Sequence, residues 1–531
     1  MNSKNLNKII DIYAYIVMFI IVEKMLGTAG IGLLLTSLSL YYIVFTIMMG
    51  SVMKSLAKMV AVRRKRGFLD NAKRIFTYCL MYTAIVGVLI ALFFIFIAPG
   101  CFGKLFNSMI LKELIPILGI LFIVDSFNKS LKGYYLGCGA GLFLTIAQIL
   151  KSVVLVAGVP FAIKFSMILG DKAVALHKQE FFIDYYGALG VILLITVANL
   201  ISLLALAVGI KTVMRDDNYS FNEVRSKDGF KAFLRSFLPV SIKLLSNNLF
   251  PLLTVGTVIF IYIRSNFTNG LTDTVVYGNV GMLFAEICLV TFGCVVIFED
   301  YIAGFGHRMR IDIKKDDRKA VNATYNVMLK NTITILVPIC VSVITFSKHI
   351  CIFLTGSDEA KGFAVLAGFM ILLWGFDMFL SNALDAKGHD SVVFIGKLAG
   401  FLATLVYSCM SAKNGVQTKE VSIALIIYIS LSILIHAFFV FRDYSVRFND
   451  ILARLVKVLI GSLILWIIDF IVAKFIAVNI VILIIGVLLG YLAYCVALVV
   501  MQTFNQKDIQ SFKGMIMFYP LGILGSIMRI R

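Results

Sequence analysis

The sequence predicts an all-α, polytopic membrane protein with about fourteen transmembrane helices. Of its 531 residues, 60% are hydrophobic and only 15% are charged, and the mean hydropathy is +0.96. A soluble domain of average composition has about 45–50% apolar and about 25% charged residues. The composition therefore excludes a water-soluble enzyme, a disordered chain and a disulfide scaffold. The apolar residues also form long unbroken runs, whereas a transmembrane β-barrel shows alternating segments of about ten residues.

Each helix is predicted from a run of about 20 apolar residues, the length that crosses a hydrocarbon core about 30 Å thick. In chain order, these runs occupy about residues 8–26, 30–52, 74–98, 114–137, 142–163, 185–210, 236–263, 276–298, 327–347, 362–384, 391–411, 420–441, 453–473 and 476–502. The last two runs lie close together and form an additional pair beyond the first twelve.

The basic residues predict the orientation of these helices. The chain has 49 Lys and Arg against 29 Asp and Glu, a formal net charge of +20. Most of the basic residues lie in the N-terminal segment, in the connections after even-numbered helices and in the C-terminal tail. The densest group is the run Arg63-Arg64-Lys65-Arg66. The positive-inside rule therefore predicts a multi-pass protein of the cell (plasma) membrane with both termini in the cytoplasm.

The same basic residues bear on the partners of the protein. Basic residues on the cytoplasmic face are expected to contact anionic membrane lipids. Nucleic acid is not an expected partner, because no stacking aromatic residues are interleaved with the basic run and no binding module fits in so short a segment.

No connection between the predicted helices is long enough for a soluble domain. The longest ones, 211–235 and 299–326, mix both charge signs and are predicted to be short amphipathic helices on the cytoplasmic face. The longest connection on the outer face covers only residues 164–184. The tail from Thr503 to Arg531 interleaves apolar and polar residues, which predicts an amphipathic helix lying on the membrane surface.

Nothing in the sequence indicates covalent catalysis or metal binding. The nine cysteines and five histidines are dispersed, without C-x-x-C, H-E-x-x-H or a Ser/His/Asp set. His436 stands alone in its predicted span. We therefore expect a protein that is not an enzyme and has no cofactor and no metal site.

A weak internal repeat divides the chain. The second predicted helix leads into AVRRKRGFLDNAKRIF, and six helices later the eighth leads into GHRMRIDIKKDDRKAVNATYNVMLK. Transporters are often built from duplicated bundles that rock about a central site. The predicted organisation is a six-helix bundle, a cytoplasmic linker, a second six-helix bundle, two additional transmembrane helices and an amphipathic tail, at residues 1–211, 212–235, 236–441, 442–502 and 503–531.

Several blocks of the sequence resemble one transporter superfamily. In chain order these blocks are KMLGTAGIGLL, SLAKMVAVRRKRGFLDNAKRIF, LKGYYLGCGAGLFLTIAQILKSVV, YGALGVILL, FLRSFLPVSIKLL and LDAKGHDSVVFIGKLAGFLATLV. Their order and spacing are similar to those of the multidrug/oligosaccharidyl-lipid/polysaccharide (MOP) exporter superfamily. The most similar branch is the polysaccharide-transporter type, with stage V sporulation protein B-like proteins and relatives of lipid II flippases.

The resemblance implies two six-helix bundles in a V around a central cavity. It also implies alternating access that moves a polyprenyl-pyrophosphate-linked glycan between leaflets, and we expect the transporter to be a monomer.

Two departures from the family pattern bear on the substrate. In helix five the family usually has a Pro before Thr-Ala and an acidic residue after Ser-Gln, whereas this chain has Leu144 and Lys151 there. Relatives that flip lipid II commonly carry arginines in helix one, near Met18 and Phe19 here, so their lipid II site cannot be transferred.

Charged residues deep in the predicted spans are candidates for the functional site, because they are costly in lipid and usually face a bundle interior. A membrane pyrophosphate requires cations aimed into its cavity. The candidates for substrate binding are Lys151, near the middle of helix five, Gln148, Lys129, Lys243 and Lys397. The candidates for coupling to a proton, a sodium ion or the membrane potential are Asp125, Glu286 and Asp377.

Other interpretations stay open at this point. The lysines other than Lys151 can equally snorkel to the cytoplasmic interface, and the acidic residues can neutralise neighbouring lysines. The leading functional hypothesis is a flippase for a lipid-linked oligosaccharide or a cell-wall or polysaccharide precursor. One alternative is a cation-coupled drug or metabolite exporter of the same superfamily, which usually stops at twelve helices. Another is a membrane-embedded glycan polymerase or acyl transferase, which tends to need a sizeable outer loop or an intramembrane His/Asp set.

Overall fold

The structure, a computed structural model, describes residues 3–106, 108–177, 181–215, 229–356, 358–412, 416–475 and 480–504. These residues are helical or lie in short turns, and none of them forms a β-strand. The chain divides into two compact units. The N-terminal unit comprises Met1–Gly281 and Leu405–Val421, and the C-terminal unit comprises Met282–Thr404 and Ser422–Arg531.

The helices follow one another with short connections. In chain order they are α1 Ser3–Met49, α2 Val52–Lys65, α3 Leu69–Leu92, α4 Ala98–Phe106, α5 Met109–Cys138, α6 Gly141–His177, α7 Phe182–Arg215, α8 Phe230–Thr268, α9 Asp273–Leu283, α10 Val290–Lys314, α11 Arg318–Thr345, α12 Ser347–Thr355, α13 Lys361–Ala386, α14 Asp390–Ser411, α15 Thr418–Asp443, α16 Phe448–Phe475 and α17 Ile480–Val500. Two π-helical segments, Phe93–Ile97 and Phe284–Leu289, join α3 to α4 and α9 to α10.

These helices account for the fourteen predicted membrane spans. Among the described residues, twelve stretches are long and apolar enough to cross a membrane. One of them, Ile9–Lys65, contains the first two predicted spans, and the other eleven coincide with one predicted span each. The remaining predicted span, 114–137, lies in α5, whose charged residues reduce its apolar character. The prediction of an all-α, multi-pass membrane protein is confirmed.

Two glycines with left-handed backbone conformations separate consecutive spans. Gly27, with φ 73°, interrupts α1 between the first two predicted spans. Gly139, with φ 76°, ends α5, and the Ala140 N–H donates to the Tyr135 carbonyl at 3.0 Å. Only glycine adopts such a φ without a steric penalty, so these residues fix where one helix ends and the next begins.

The basic segment after the second predicted span is helical rather than an irregular connection. The arginine run completes α2, and α3 begins only three residues later, after a turn in which Gly67 has φ 80°. The predicted amphipathic segment 299–326 is likewise the end of α10 and the start of α11, joined by a turn in which Asp316 has φ 54°. A left-handed residue thus follows basic residues in both copies of the weak repeat.

Hydropathy also misjudged the outer connection at 164–184. Here α6 is 37 residues long and continues as far as His177. The length of an apolar run reflects the thickness of the bilayer, so it does not show how far a helix extends beyond the bilayer. The predicted linker 212–235 and tail 503–531 lie largely outside the described residues. The predicted domain boundaries therefore stay a prediction.

The helices that position the candidate site pack within the N-terminal unit. Helices α1, α5 and α6 contact one another, and all three contact α7. Their packing brings polar side chains of these helices together in the interior of the unit. The same helices are apolar elsewhere along their length. In the C-terminal unit, α13 packs against α10 and α11, and α16 packs against α11 and α17.

Candidate functional site

The N-terminal unit holds a cavity of about 270 Å³ among α1, α5, α6 and α7. The charged side chains that line it are Asp11, Asp125, Lys129, Lys132 and Lys151. Its lining also includes Tyr15, Tyr42, Asn128 and Asn199. This concentration of charge inside membrane-spanning helices is the strongest functional feature of the unit, because such residues are costly unless they line a cavity and interact with one another.

Helical spacing explains why these residues share one cavity. Asp125, Lys129 and Lys132 follow one another at intervals of four and three residues, so they lie on one face of α5. Asp11 and Tyr15 are spaced by four residues on α1, and Gln148 and Lys151 by three on α6. Each of these three helices therefore presents a short polar stripe, and their packing with one another and with α7 brings the stripes together.

An ion pair between α1 and α6 organises the cavity. Lys151 Nζ lies 3.0 Å from Asp11 Oδ1, with the lysine side chain 6% and the aspartate side chain 35% exposed. The Gln148 amide donates to the same carboxylate oxygen at 2.7 Å. Lys132 in turn donates to the Gln148 carbonyl oxygen at 3.2 Å. A continuous polar chain thus runs from α5 through α6 to α1.

Aromatic side chains complete the environment of these charges. Lys151 Nζ lies 4.9 Å from the centre of the Tyr15 ring, and Lys129 Nζ lies 5.6 Å from that of Phe45. The Tyr41 hydroxyl donates to Asp125 Oδ2 at 2.6 Å. Cation–π contacts and a charge-assisted hydrogen bond offset part of the cost of removing these charged groups from water.

The cavity carries an excess of positive charge. Three lysines face two aspartates, which leaves one net positive charge when all five groups are ionised. Lys151 pairs with Asp11, whereas Lys132 donates to the neutral amide of Gln148.

The structure brings four of the predicted site residues together in this unit. Lys151, Lys129 and Asp125 line the cavity, and Gln148 bonds to two of its charged groups. Asp11 was missed, because an acidic residue near the start of the first span reads as interfacial until α1 is packed against α6. The roles of these residues in binding and coupling stay predictions.

Two predicted candidates lie on helical backbone whose side chains fall outside the described part of the structure. Lys243 belongs to α8. Glu286 belongs to the π-helical segment Phe284–Leu289. Such segments within α-helices are frequent at functional sites, so the backbone at Glu286 is compatible with the predicted coupling role, which stays a prediction.

A second buried cluster lies in the C-terminal unit and contains the remaining candidates. Asp377 Oδ1 accepts from the Ser432 hydroxyl at 2.7 Å and lies 2.9 Å from His436 Nδ1. Lys397 is 8% exposed and interacts electrostatically with Asp377. Gly396 leaves room for the imidazole, because a Cβ at that position would overlap the ring. His436, alone in its own span, thus gains its acidic partner from α13.

Both ring nitrogens of His436 lie near oxygen atoms of other helices. Its Nε2 lies 3.3 Å from the Val393 carbonyl, and its Nδ1 faces the Asp377 carboxylate. The Ser381 and Ser432 hydroxyls lie 3.3 and 3.4 Å from the same Nδ1. The imidazole is therefore held in place by polar groups of several helices.

Comparisons with known proteins place the fold. No protein-family model and no curated protein matches the sequence. Among solved structures, the lipid II flippase MurJ in an inward closed conformation is similar with a TM-score of 0.60 at 13% identity, over 94% of this chain and 97% of that chain. An inward-facing multidrug resistance MATE family transporter of the MOP superfamily gives 0.53 at 14% identity, over 82% and 93%. The eukaryotic MATE transporter AtDTX14 gives 0.51 at 12% identity, over 86% and 100%.

The likeness is one of fold, because all three identities are low. It extends over most of each chain, so it concerns the whole architecture and not a single bundle. The chain therefore has the fold seen in MOP-superfamily transporters, as the resemblance of the sequence blocks predicted.

Proposed function

We propose that the protein is a transporter that flips a lipid-linked oligosaccharide, or another cell-wall or polysaccharide precursor, across the cytoplasmic membrane by alternating access. The observation that carries this proposal is the cavity of the N-terminal unit, which presents Lys129, Lys132 and Lys151 inside spanning helices. The fold shared with a lipid II flippase supports it. A polyprenyl chain can stay in lipid, whereas its pyrophosphate needs cations and hydrogen-bond donors away from water.

The geometry supplies a division of roles. Lys129 and Lys132 attract the pyrophosphate, and Lys151 binds it by exchanging the Asp11 carboxylate for a phosphate oxygen. The tyrosine hydroxyls and asparagine amides of the cavity are suited to sugar hydroxyls. When Asp11 pairs with Lys151 again, the bound pyrophosphate loses one cation and lies next to a negative charge. Both changes favour release of the substrate into the opposite leaflet.

A leaflet-transfer assay tests the proposal. Proteoliposomes with a fluorescent polyprenyl-pyrophosphate sugar should show transfer between leaflets by the wild type. The rate of transfer should fall about tenfold or more in Lys129→Gln/Lys132→Gln, which is the effect expected from the loss of one charge-assisted hydrogen bond. Lys112→Gln is the matched control, since that residue is exposed on the same helix α5 and does not line the cavity. Wild-type transfer by the double variant would remove the basis of the proposal.

We further propose that Asp377 and His436 couple transport to protons. A proton is favoured over sodium at this place, because Asp377 Oδ1 is already engaged by the Ser432 hydroxyl and by His436 Nδ1, and an imidazole can itself carry a proton. Asp377→Asn should abolish the response of transport to a pH gradient while leaving exchange of substrate in the absence of a gradient. If the response persists in this variant, the coupling site lies elsewhere.

A cation-coupled drug or metabolite exporter is the second candidate function. The fold shared with MATE transporters supports it, and one observation favours it: Asp11 neutralises the most buried lysine of the cavity. Dye efflux from cells distinguishes the two functions. Export of a cationic dye by the wild type, with no polyprenyl lipid detected by mass spectrometry in the purified protein, would favour this alternative over a flippase.

A further inference from the structure

A carboxyl group is buried between α11 and the last two helices of the described chain. Asp469 of α16 is 0% exposed. It continues the buried face of that helix, whose members recur at intervals of three and four residues: Val458, Ser462, Leu465 and Asp469. On the other side of α16, Ile467 and Phe470 are exposed, as expected of side chains that face lipid. A carboxyl group therefore occupies a position that would ordinarily hold an apolar side chain.

Two neighbouring helices contact the Asp469 carboxyl group. The Ser342 hydroxyl of α11 lies 2.7 Å from Oδ2. On the other side, the backbone of α17 passes so close at Gly490 that a Cβ there would overlap Oδ1. Oδ1 itself is buried and has no hydrogen-bond partner among the residues that the structure describes. The carboxyl group thus has one polar contact, and the glycine is what leaves room for it.

Within the described part of the chain, no charged side chain offsets a negative charge on Asp469. The nearest basic residue of α16, Lys474, follows five residues later and so lies on a different face of the helix. On α11, Cys340 lies two residues from Ser342, and side chains at that spacing point in different directions. An ionised Asp469 would therefore be a buried anion without a cation.

The titratable groups of α17 near Gly490 bond to other groups. The Tyr494 hydroxyl donates to the Thr334 carbonyl of α11 at 2.8 Å. Tyr491 and Cys495 share a side-chain hydrogen bond. Helices α11 and α17 are the ones that pack most extensively against α16. In the described residues, neither of them supplies a donor to the second carboxyl oxygen.

We propose that Asp469 is a proton-binding site, and that the neutral carboxylic acid is the form that packs between α11 and α17. An isolated carboxylate is so costly in an apolar interior that such a group takes up a proton instead. A neutral carboxyl group can donate as well as accept, so it forms a compact pair with the Ser342 hydroxyl. A metal cation fits less well, because hard cations take about six oxygen ligands and the α17 backbone fills the space beside Oδ1.

The site links proton binding to the packing of α17. Gly490 covers Oδ1, so a carboxylate formed by loss of the proton gains water only if α17 moves away from α16. The proton therefore stabilises the packed arrangement of the two helices, and a rise in pH should loosen it. This inference does not rest on the proposed transport function, because it concerns a pair of helices outside the Lys151 cavity.

Infrared difference spectroscopy of the full-length protein in lipid bilayers tests the proton site. The C=O stretch of a neutral carboxylic acid is separate from the bands of carboxylates and amides. Near neutral pH, the wild-type spectrum minus that of Asp469→Asn should contain one such band. The matched control is Asp450→Asn on the same helix, where an exposed carboxylate lies 3.5 Å from Lys330; its difference spectrum should contain carboxylate bands only. Ser342→Ala should shift the carboxylic acid band, because it removes the hydroxyl at Oδ2.

Each spectroscopic outcome has a defined meaning. A difference spectrum for Asp469→Asn with carboxylate bands alone would overturn the inference. Carboxylate bands that respond to sodium chloride and not to pH would identify a cation site and would overturn the assignment to a proton. If Asp469→Asn does not fold, Ser342→Ala replaces it, and an unshifted carboxylic acid region in that variant would equally contradict the inference.

Unfolding in mixed micelles at a series of pH values tests the link to packing. Asp469→Asn keeps the shape of the neutral acid and cannot ionise. The folded wild type holds a proton that the unfolded chain has released, so raising the pH should favour unfolding of the wild type relative to the variant. The ratio of their unfolding equilibrium constants should rise by up to about tenfold per pH unit, the limit for one proton. Parallel pH profiles of the two proteins would overturn this link.

Discussion

The ion pair between Asp11 and Lys151 should respond asymmetrically to mutation. Removing one partner of a buried pair costs about 3–5 kcal/mol, because the other charge is left uncompensated. Lys151 is only 6% exposed, so Asp11→Asn strands a deeply buried cation. Asp125 also attracts this lysine, which places the expected cost at the lower end, about 3 kcal/mol.

The opposite substitution should cost less. Asp11 is 35% exposed, and after Lys151→Met it keeps the Gln148 amide at 2.7 Å. Partial access to water screens the stranded carboxylate, so we expect a loss of about 1–2 kcal/mol. The double variant leaves neither charge stranded. It should therefore be more stable than Asp11→Asn alone, which requires a coupling free energy of more than about 1–2 kcal/mol, the cost of Lys151→Met.

Reversible unfolding of the four proteins in mixed micelles measures these free energies as a double-mutant cycle. The control cycle uses Lys330 and Asp450, which lie 3.5 Å apart with side chains 21% and 48% exposed. That exposed pair should couple by less than about 1 kcal/mol. Additive losses at Asp11 and Lys151, or a double variant less stable than Asp11→Asn, would refute the assignment of a buried, mutually dependent pair.

Further predictions concern packing, backbone conformation and orientation. Gly396→Ala should destabilise the protein by about 1–3 kcal/mol in the same unfolding assay, because the new methyl group overlaps the His436 ring; an unchanged stability would contradict that contact. Gly67→Ala should cost about 1–2 kcal/mol, because φ is 80° there, and a neutral effect would argue against this turn. Lys65→Cys, in a chain whose exposed native cysteines are replaced by serine, should resist an impermeant thiol reagent in intact cells; labelling would invert the predicted topology.

Much of the fold could be predicted from the sequence, because a bilayer imposes a simple rule on composition and length. The spans followed from apolar runs. The helix ends did not, since continuation of α6 to His177 and of α2 through Lys65 depends on packing and on local turns. Hydropathy does not report either of these.

The candidate site was predictable in part for a similar reason. Lys151, Lys129 and Asp125 stand out as charges in apolar surroundings, and helical spacing places the last two on one face of α5. The partner of Lys151 and the partner of His436 come from other helices, Asp11 from α1 and Asp377 from α13. A single sequence carries no signal for such pairings between helices.

The polar stripe of α5 also has a consequence for how the chain is inserted during synthesis. A helix with Asp125, Lys129 and Lys132 in its length enters lipid poorly on its own. Tyr41, the partner of Asp125, precedes α5 in the chain, whereas Gln148, the partner of Lys132, is made afterwards on α6. We therefore expect the translocon to hold α5 until α6 emerges, and to release the two helices together as a hairpin closed by the turn at Gly139.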